Sequence, residues 1–282
     1  MKRVSRPLHR GLEKLRQRYD ARYLGSDPLS FPRRFSRPDD REVVGLLASS
    51  LAYGNVKTIR QSLEKILDWM GPHPASFARL VTVERELDRL GDFRHRWTRA
   101  RDVVCLVSFA GQMLEGHGGI GSFFASSYVQ GDMRESIRRF SARALALDHG
   151  GIYSSQGFSS RAGVRFFFTN PLTGACKRTN MYLRWMIRPE DGLDMGLWGF
   201  ANPRDLVMPL DTHIYRIGRH WGWTERKTPG WKAAVDITRS LAELDPNDPV
   251  KYDFALSRMG ILEDCPRHPD EAPCELCEIQ RL

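Results

Sequence analysis

Apolar residues recur every three or four positions along most of this 282-residue chain, the spacing of one face of an α-helix. Runs of proline and glycine interrupt the pattern at 28–38, 71–74, 116–121 and 189–209. Alternation typical of strands is scarce, so the pattern predicts an all-α fold. The helices are expected at about 8–24, 39–53, 55–70, 98–115, 130–147, 175–187, 211–220, 230–243 and 248–260.

Local signals place several helix ends. Asp39 and Asp40 stand before an apolar run, and acidic residues are favourable in a first helical turn. Asp248 followed by proline is typical of an N-cap with proline at the first helical position. The run Phe166–Phe168 fits either a short strand or a buried helical turn.

The length of the chain allows one large domain or two modest lobes. We expect two helical lobes with a cleft between them. Residues 45–195 form the central lobe in this prediction, and residues 1–44 combine with 196–282 in the second.

Charge adds a class of partner. The net charge is +9, and only eight of the 43 basic residues are lysine. Arginine forks suit phosphate, so the excess favours nucleic acid, although a solvated arginine-rich surface has the same composition. No apolar run is long enough for a bilayer, and the N-terminus lacks the apolar segment of a secretory signal. Five cysteines, three of them in the last 18 residues, are not a disulfide framework, so we expect a cytoplasmic protein without a membrane partner.

Two candidate catalytic residues lie at predicted helix starts. Lys177 lies in the first turn after a break at Pro171 and Gly174, where the helix dipole disfavours its charged form. Asp211 precedes the next amphipathic run. A lysine nucleophile with a carboxylate partner can perform Schiff-base chemistry. Taken singly, a surface lysine and an N-cap aspartate are the simpler interpretations.

Four segments carry a family resemblance. Residues 174–183, GACKRTNMYL, and 210–222, LDTHIYRIGRHWG, resemble the helix-hairpin-helix DNA glycosylases of base excision, the endonuclease III superfamily. Residues 44–56 and 252–260 are similar to that superfamily's early helix and to its approach to an iron–sulfur loop. Within the superfamily, the chain resembles an uncharacterised bacterial family.

The resemblance implies a glycosylase that removes a damaged base from double-stranded DNA, with AP-lyase activity through a lysine Schiff base. Lys177 falls on the catalytic lysine and Asp211 on the catalytic aspartate. The 34-residue separation of these two is long for the superfamily and is shared by some archaeal oxidised-guanine glycosylases. No protein partner is implied. The resemblance, with the character of the neighbouring side chains, gives further expected contacts: DNA contacts at Gly174, Ala175, Arg178, Asn180, Tyr53, Asn55, His213 and Arg216, and base-pocket aromatics at Trp185 and Trp198.

Two departures from the family pattern leave alternatives open. The glycine-rich hairpin is reduced to Gly174, and the cysteine loop has three cysteines rather than four. A non-catalytic DNA-binding protein with the glycosylase fold is therefore the main alternative, and an enzyme acting on RNA or a nucleoside is the next. We expect no complete iron–sulfur cluster. A structural zinc held by Cys265, His268, Cys274 and Cys277 and a metal-free tail are both consistent with the sequence.

Overall fold

The computed structural model describes residues 6–153 and 163–261. These segments are mostly helical, which confirms the all-α prediction. Strand structure within them is limited to one antiparallel hairpin, β1 (Arg94–His95) with β2 (Thr98–Arg99). The helices are α1 (Arg6–Arg18), α2 (Pro38–Ser50), α3 (Val56–Met70), α4 (Pro74–Arg79), α5 (Val83–Leu90), α6 (Ala100–His117), α7 (Ile120–Ala125), α8 (Met133–Ala144), α9 (Lys177–Ile187), α10 (Thr212–His220), α11 (Trp231–Ala242) and α12 (Asp253–Ile261).

Two predicted helices are shorter than expected because a polar side chain takes another partner. Helix α1 ends at Arg18, since Asp20 caps the following 3-10 turn by accepting from the Arg22 amide. Helix α12 begins at Asp253 rather than at Asp248, because the Asp248 carboxylate is engaged by Arg188. A local turn thus ends α1 early, whereas at Asp248 a partner 60 residues away in sequence replaces the capping role.

Four elements were not predicted, namely α4, α5, α7 and the hairpin. The hairpin turns at Arg96, whose φ of +54° is in the left-handed region that side chains other than glycine seldom adopt. The Phe166–Phe168 ambiguity resolves as a helical turn, since Val164–Phe166 form a 3-10 helix.

Helices α2 and α6 lie at the centre of the core. Each buries residues all around its circumference, as expected for helices enclosed by others. Two glycines allow neighbours to approach: a Cβ at Gly45 would lie 2.4 Å from Cε of Met186 on α9, and one at Gly111 would lie 2.0 Å from the Ala78 carbonyl oxygen on α4. Helix α2 therefore packs closely against α9, the helix that begins at Lys177.

A buried ionic network joins α9 to α12. Arg184 donates to Asp194 at 3.0 Å and also pairs with Asp253, the first residue of α12. One turn later, Arg188 pairs with Asp194 and donates to Asp248 at 2.9 Å. The carboxylate of Asp194 is fully buried and has no contact with water. Its negative charge is therefore compensated by the two arginines, which it holds in place.

A second buried carboxylate organises the other side of α2. Glu42 accepts from the Ile120 and Gly121 amides at the start of α7 and from the Trp198 indole nitrogen. Burial raises the pKa of Glu42. Helix α2, α7 and the segment after α9 are thereby fixed to each other.

In the described part of the chain, no helix has both the length and the hydropathy needed to cross a bilayer. The division into two lobes near residues 45 and 195 stays a prediction.

The close crossing of α4 and α6 gives a paired test. Gly111→Ala must displace the Ala78 backbone, and we expect the free energy of unfolding to fall by about 1–3 kcal/mol. Gly116→Ala lies in the same helix with open space around the new Cβ, and it should gain up to about 1 kcal/mol from helix propensity. Urea unfolding of both variants measures the difference. Equal values for the two variants would contradict the close crossing.

Candidate functional site

Lys177 is the first residue of α9. It follows Cys176, a buried residue whose φ of +52° turns the chain into the helix without a side-chain cap. The lysine is half-buried, and among the described residues its amine has no ion-pair or hydrogen-bond partner. A half-buried amine without a counterion at a helix start is available to act on a bound molecule.

Asp211 is the N-cap of α10, and the capping interpretation is confirmed. Its Oδ1 accepts from the Ile214 amide at 2.8 Å. Its Oδ2 accepts from the Ser257 hydroxyl of α12 at 3.4 Å. One carboxylate oxygen therefore caps α10, and the other lies beside α12. The residue is half-buried.

Helix α12 links α10 to the second half of α9. It packs along α10, and Asp253 at its beginning pairs with Arg184 of α9. Arg184 lies seven residues after Lys177, about 10 Å along the helix axis at 1.5 Å per residue. The buried network thus fixes how the two helices that begin at Lys177 and Asp211 are oriented.

The expected hairpin is a polar turn that leads into α9. Asn170 accepts from the Leu172 amide through its side chain, and Leu172 is exposed. Gly174 and Ala175 are half-buried, and Ala175 accepts from the Asn180 side chain at 3.0 Å. Asn180 is buried, so it closes the turn from inside rather than facing a DNA strand.

Arg178 is half-buried and its guanidinium is engaged within the protein, so its expected DNA contact stays a prediction. Its guanidinium lies 3.5 Å from the ring centroid of Phe166 and donates to the carbonyls of Ser50 and Phe166. Burial lowers the pKa of Arg178 to about 10. The side chain fastens the start of α9 to the end of α2.

The turn after α2 brings Tyr53 and Asn55 to this same region. Tyr53 lies 5.4 Å below the Arg178 guanidinium and bonds Thr98 of the hairpin at 2.6 Å. Asn55 is exposed and caps α3 by accepting from the Lys57 amide. Tyr53 therefore lies on the side of α9 where Arg178 points, and the expected DNA contacts of Tyr53 and Asn55 stay predictions.

His213 and Arg216 lie in α10, and both are half-buried. His213 packs against Gly260 of α12. A Cβ added at Gly260 would lie 2.5 Å from the Cβ of His213. Its Nδ1 has no hydrogen-bond partner among the described residues. Their expected phosphate contacts stay predictions.

Trp185 and Trp198 are core residues, contrary to the expected base pocket. Both are almost completely buried. The Trp198 indole donates to Glu42 and stacks on Phe124 with centroids 5.3 Å apart. Neither ring has a free face for a base, because each position belongs to the apolar interior around α9.

Sequence reasoning missed one exposed aromatic residue beside the candidate site. Trp97 at the hairpin tip is 43% exposed and stacks on Tyr53. A tryptophan within the basic stretch RHRWTR, residues 94–99, was a signal that could have found it.

The described residues contain no group of three or more His, Cys, Asp or Glu side chains placed to hold a metal ion. The four residues of the candidate zinc site, Cys265, His268, Cys274 and Cys277, lie outside the described residues.

Comparison with known proteins assigns the chain to a family. The family model described as "Protein of unknown function (DUF2400)" matches residues 27–262, and the chain belongs to that family. No curated protein and no solved structure matched the chain.

Two substitutions separate the contribution of the Asp211 cap to stability from that of its negative charge. Asp211→Ala should lower the free energy of unfolding by about 1 kcal/mol, because the Ile214 amide loses its acceptor. Asp211→Asn keeps a good capping side chain and should stay within about 0.5 kcal/mol of the parent. Urea unfolding measures both changes. A loss in Asp211→Asn as large as that in Asp211→Ala would contradict a purely capping contribution to stability.

Proposed function

We propose that this protein is a DNA glycosylase of base excision that removes a damaged base, an oxidised purine in the first instance, and cleaves the strand as an AP lyase. One observation carries the proposal. Lys177 and Asp211, the two residues that the resemblance to the endonuclease III superfamily singles out, each stand at the start of a helix with a half-buried side chain. The amine of Lys177 is not committed to a structural ion pair within the described residues.

Lys177 would act as the nucleophile. Its neutral Nζ attacks C1′ of the damaged nucleoside, the C1′–N bond breaks, and the base leaves with the bonding electrons and takes up a proton. The amine loses a proton and the sugar ring opens, which gives a C1′=N imine. Loss of a C2′ proton then expels the 3′ phosphate, and water hydrolyses the imine to release the lysine.

Asp211 would support the first step in one of two ways. Its carboxylate accepts the proton that the attacking amine gives up, or it opposes positive charge that develops on the sugar. Helix capping is compatible with either role, because only Oδ1 is used by the Ile214 amide.

Electrostatics support DNA as the substrate. The chain carries a net charge of +9. At the start of α9 the N-cap Cys176 supplies no side-chain hydrogen bond, so the amides of the first turn are available to a phosphate near Lys177. A basic protein surface also raises the local concentration of a polyanion.

The competing function is DNA binding without catalysis. The reduction of the glycine-rich hairpin to Gly174 and the incomplete set of cysteines favour it, since both depart from the pattern of the catalytic superfamily. This alternative predicts salt-dependent binding to duplex DNA and no covalent product.

Borohydride trapping separates the two functions. The parent protein, incubated with duplex DNA that holds an abasic site or 8-oxoguanine, should form a reduced covalent adduct, because borohydride converts the imine to a stable amine. Lys177→Gln should form none. Lys232→Gln is the matched control, because Lys232 is an exposed lysine in the first turn of α11. It should trap as the parent does.

Adduct formation by Lys177→Gln would remove Lys177 from the mechanism. An unmodified parent protein that binds the duplex would favour the non-catalytic alternative if base release is also absent.

Asp211→Asn tests the carboxylate in catalysis. Because asparagine preserves the cap, this variant should fold normally and bind DNA. Its single-turnover rate of base release should fall by roughly 10²- to 10⁴-fold, the usual contribution of a positioned acid or base. Rates within a factor of about three of the parent would show that the charge of Asp211 is not used.

A further inference from the structure

Trp97 is presented on a platform of aromatic rings. Its indole stacks on Tyr53 with centroids 4.8 Å apart and planes at 22°. Phe166 meets the edges of both rings, at 5.4 Å from Trp97 and 5.0 Å from Tyr53. Trp97, Tyr53 and Phe166 are called the Trp97 platform below. Trp97 is the most exposed member of this platform, at 43%, while Tyr53 and Phe166 are half-buried.

The hairpin that carries Trp97 is fixed in position. The Tyr53 hydroxyl bonds Thr98 and donates to the His95 carbonyl at 3.0 Å. The buried His95 ring bonds the Ser62 hydroxyl at 2.9 Å and the Tyr53 carbonyl at 3.0 Å. A tryptophan held this way loses little conformational freedom on binding.

The hairpin that carries Trp97 also carries unpaired positive charge. Arg94, Arg96 and Arg99 are exposed, and among the described residues none forms an ion pair with a carboxylate. The guanidinium of Arg96 lies 5.1 Å from the Trp97 ring. Elsewhere on the surface, Arg138 and Arg139 are neutralised by Glu135. An anionic partner would gain charge contacts here that an apolar partner would not.

We propose that Trp97 stacks on an unpaired base of a DNA strand, whose phosphates are held by Arg94, Arg96 and Arg99. An exposed aromatic ring with arginines around it is the arrangement that binds unstacked bases without sequence preference. This inference rests on the proposed function for the choice of DNA. The platform adjoins the start of α9, because Arg178, the neighbour of Lys177, packs on Phe166 and Tyr53. The unpaired base would therefore lie beside the site of base removal.

Equilibrium binding tests the platform independently of chemistry. All proteins carry Lys177→Gln so that the DNA stays intact, and fluorescence anisotropy gives Kd. The probes are a fully paired duplex and the same duplex with one base opposite a tetrahydrofuran abasic analogue. Trp97→Ala should weaken binding to the unpaired-base probe by roughly 10-fold or more, since stacking on one base is worth about 1–3 kcal/mol. The fully paired duplex should change by less than about 2-fold.

Two variants make the comparison specific. Trp97→Phe retains an aromatic face and should recover most of the lost affinity. Phe200→Ala is the matched control, because Phe200 is 45% exposed and also stacks on another aromatic ring, Trp198. It should bind both probes as the parent does. Replacing Arg94, Arg96 and Arg99 by glutamine should lower the slope of log Kd against log salt by up to about 3.

Equal affinity of Trp97→Ala and the parent for the unpaired-base probe would overturn the proposal, provided that thermal unfolding shows both folded. Tighter binding of the matching RNA than of the DNA, or self-association of the parent that Trp97→Ala abolishes, would overturn it as well. Its failure is distinguishable from that of the proposed function. If the parent is trapped through Lys177 and Trp97→Ala binds the unpaired-base probe as tightly as its reference, the platform alone is rejected. If Trp97→Ala binds that probe more weakly but the parent forms no borohydride adduct, the chemistry alone is rejected.

Discussion

The buried pairing of Arg184 and Arg188 with Asp194, Asp248 and Asp253 is the constraint on which the candidate site depends. A charge removed from water is tolerated only with a well-placed opposite charge, so each member fixes the position of the next. Arg184 lies in the last turn of α9 and Arg188 is its C-cap, while their partners lie in the following segment, just before α12 and at its first residue. Because α12 also packs on α10, a single network sets the relation between the helices that begin at Lys177 and Asp211.

The beginning of α9 is held by a different interaction. There the Arg178 guanidinium packs on Phe166 and donates to backbone carbonyls at the end of α2, with no carboxylate nearby to neutralise it in the structure described. Tyr53 and the hairpin complete this contact. Lys177 thus stands next to an aromatic cluster at its own end of the helix, while the ionic network fixes the rest. Both ends of the helix that begins at Lys177 are therefore fixed to neighbouring elements, which is the precise positioning that the proposed catalysis requires.

Features that depend on neighbours in sequence could be predicted, and features that depend on distant partners could not. The cap at Asp211 follows from residue type and position. The burial of Trp198 depends on its contacts with Glu42 and Phe124, which are distant in sequence and which no local pattern predicts. The contact between Arg178 and Phe166 could not be predicted, because Phe166 lies in a turn whose conformation the sequence left open. The hairpin at Arg94–Arg99 was missed because it is too short to show alternation and turns at a strained arginine.

The central claim is that the amine of Lys177 forms the bond to DNA. It is tested most directly by locating that bond. Protein trapped with borohydride on duplex DNA that holds an abasic site would be digested with nuclease and protease, and the peptides sequenced by mass spectrometry. We expect the added sugar-phosphate mass on the peptide that contains Lys177, and on no other peptide. The same mass on another lysine or on the N-terminal amine, with Lys177 unmodified, would contradict the account.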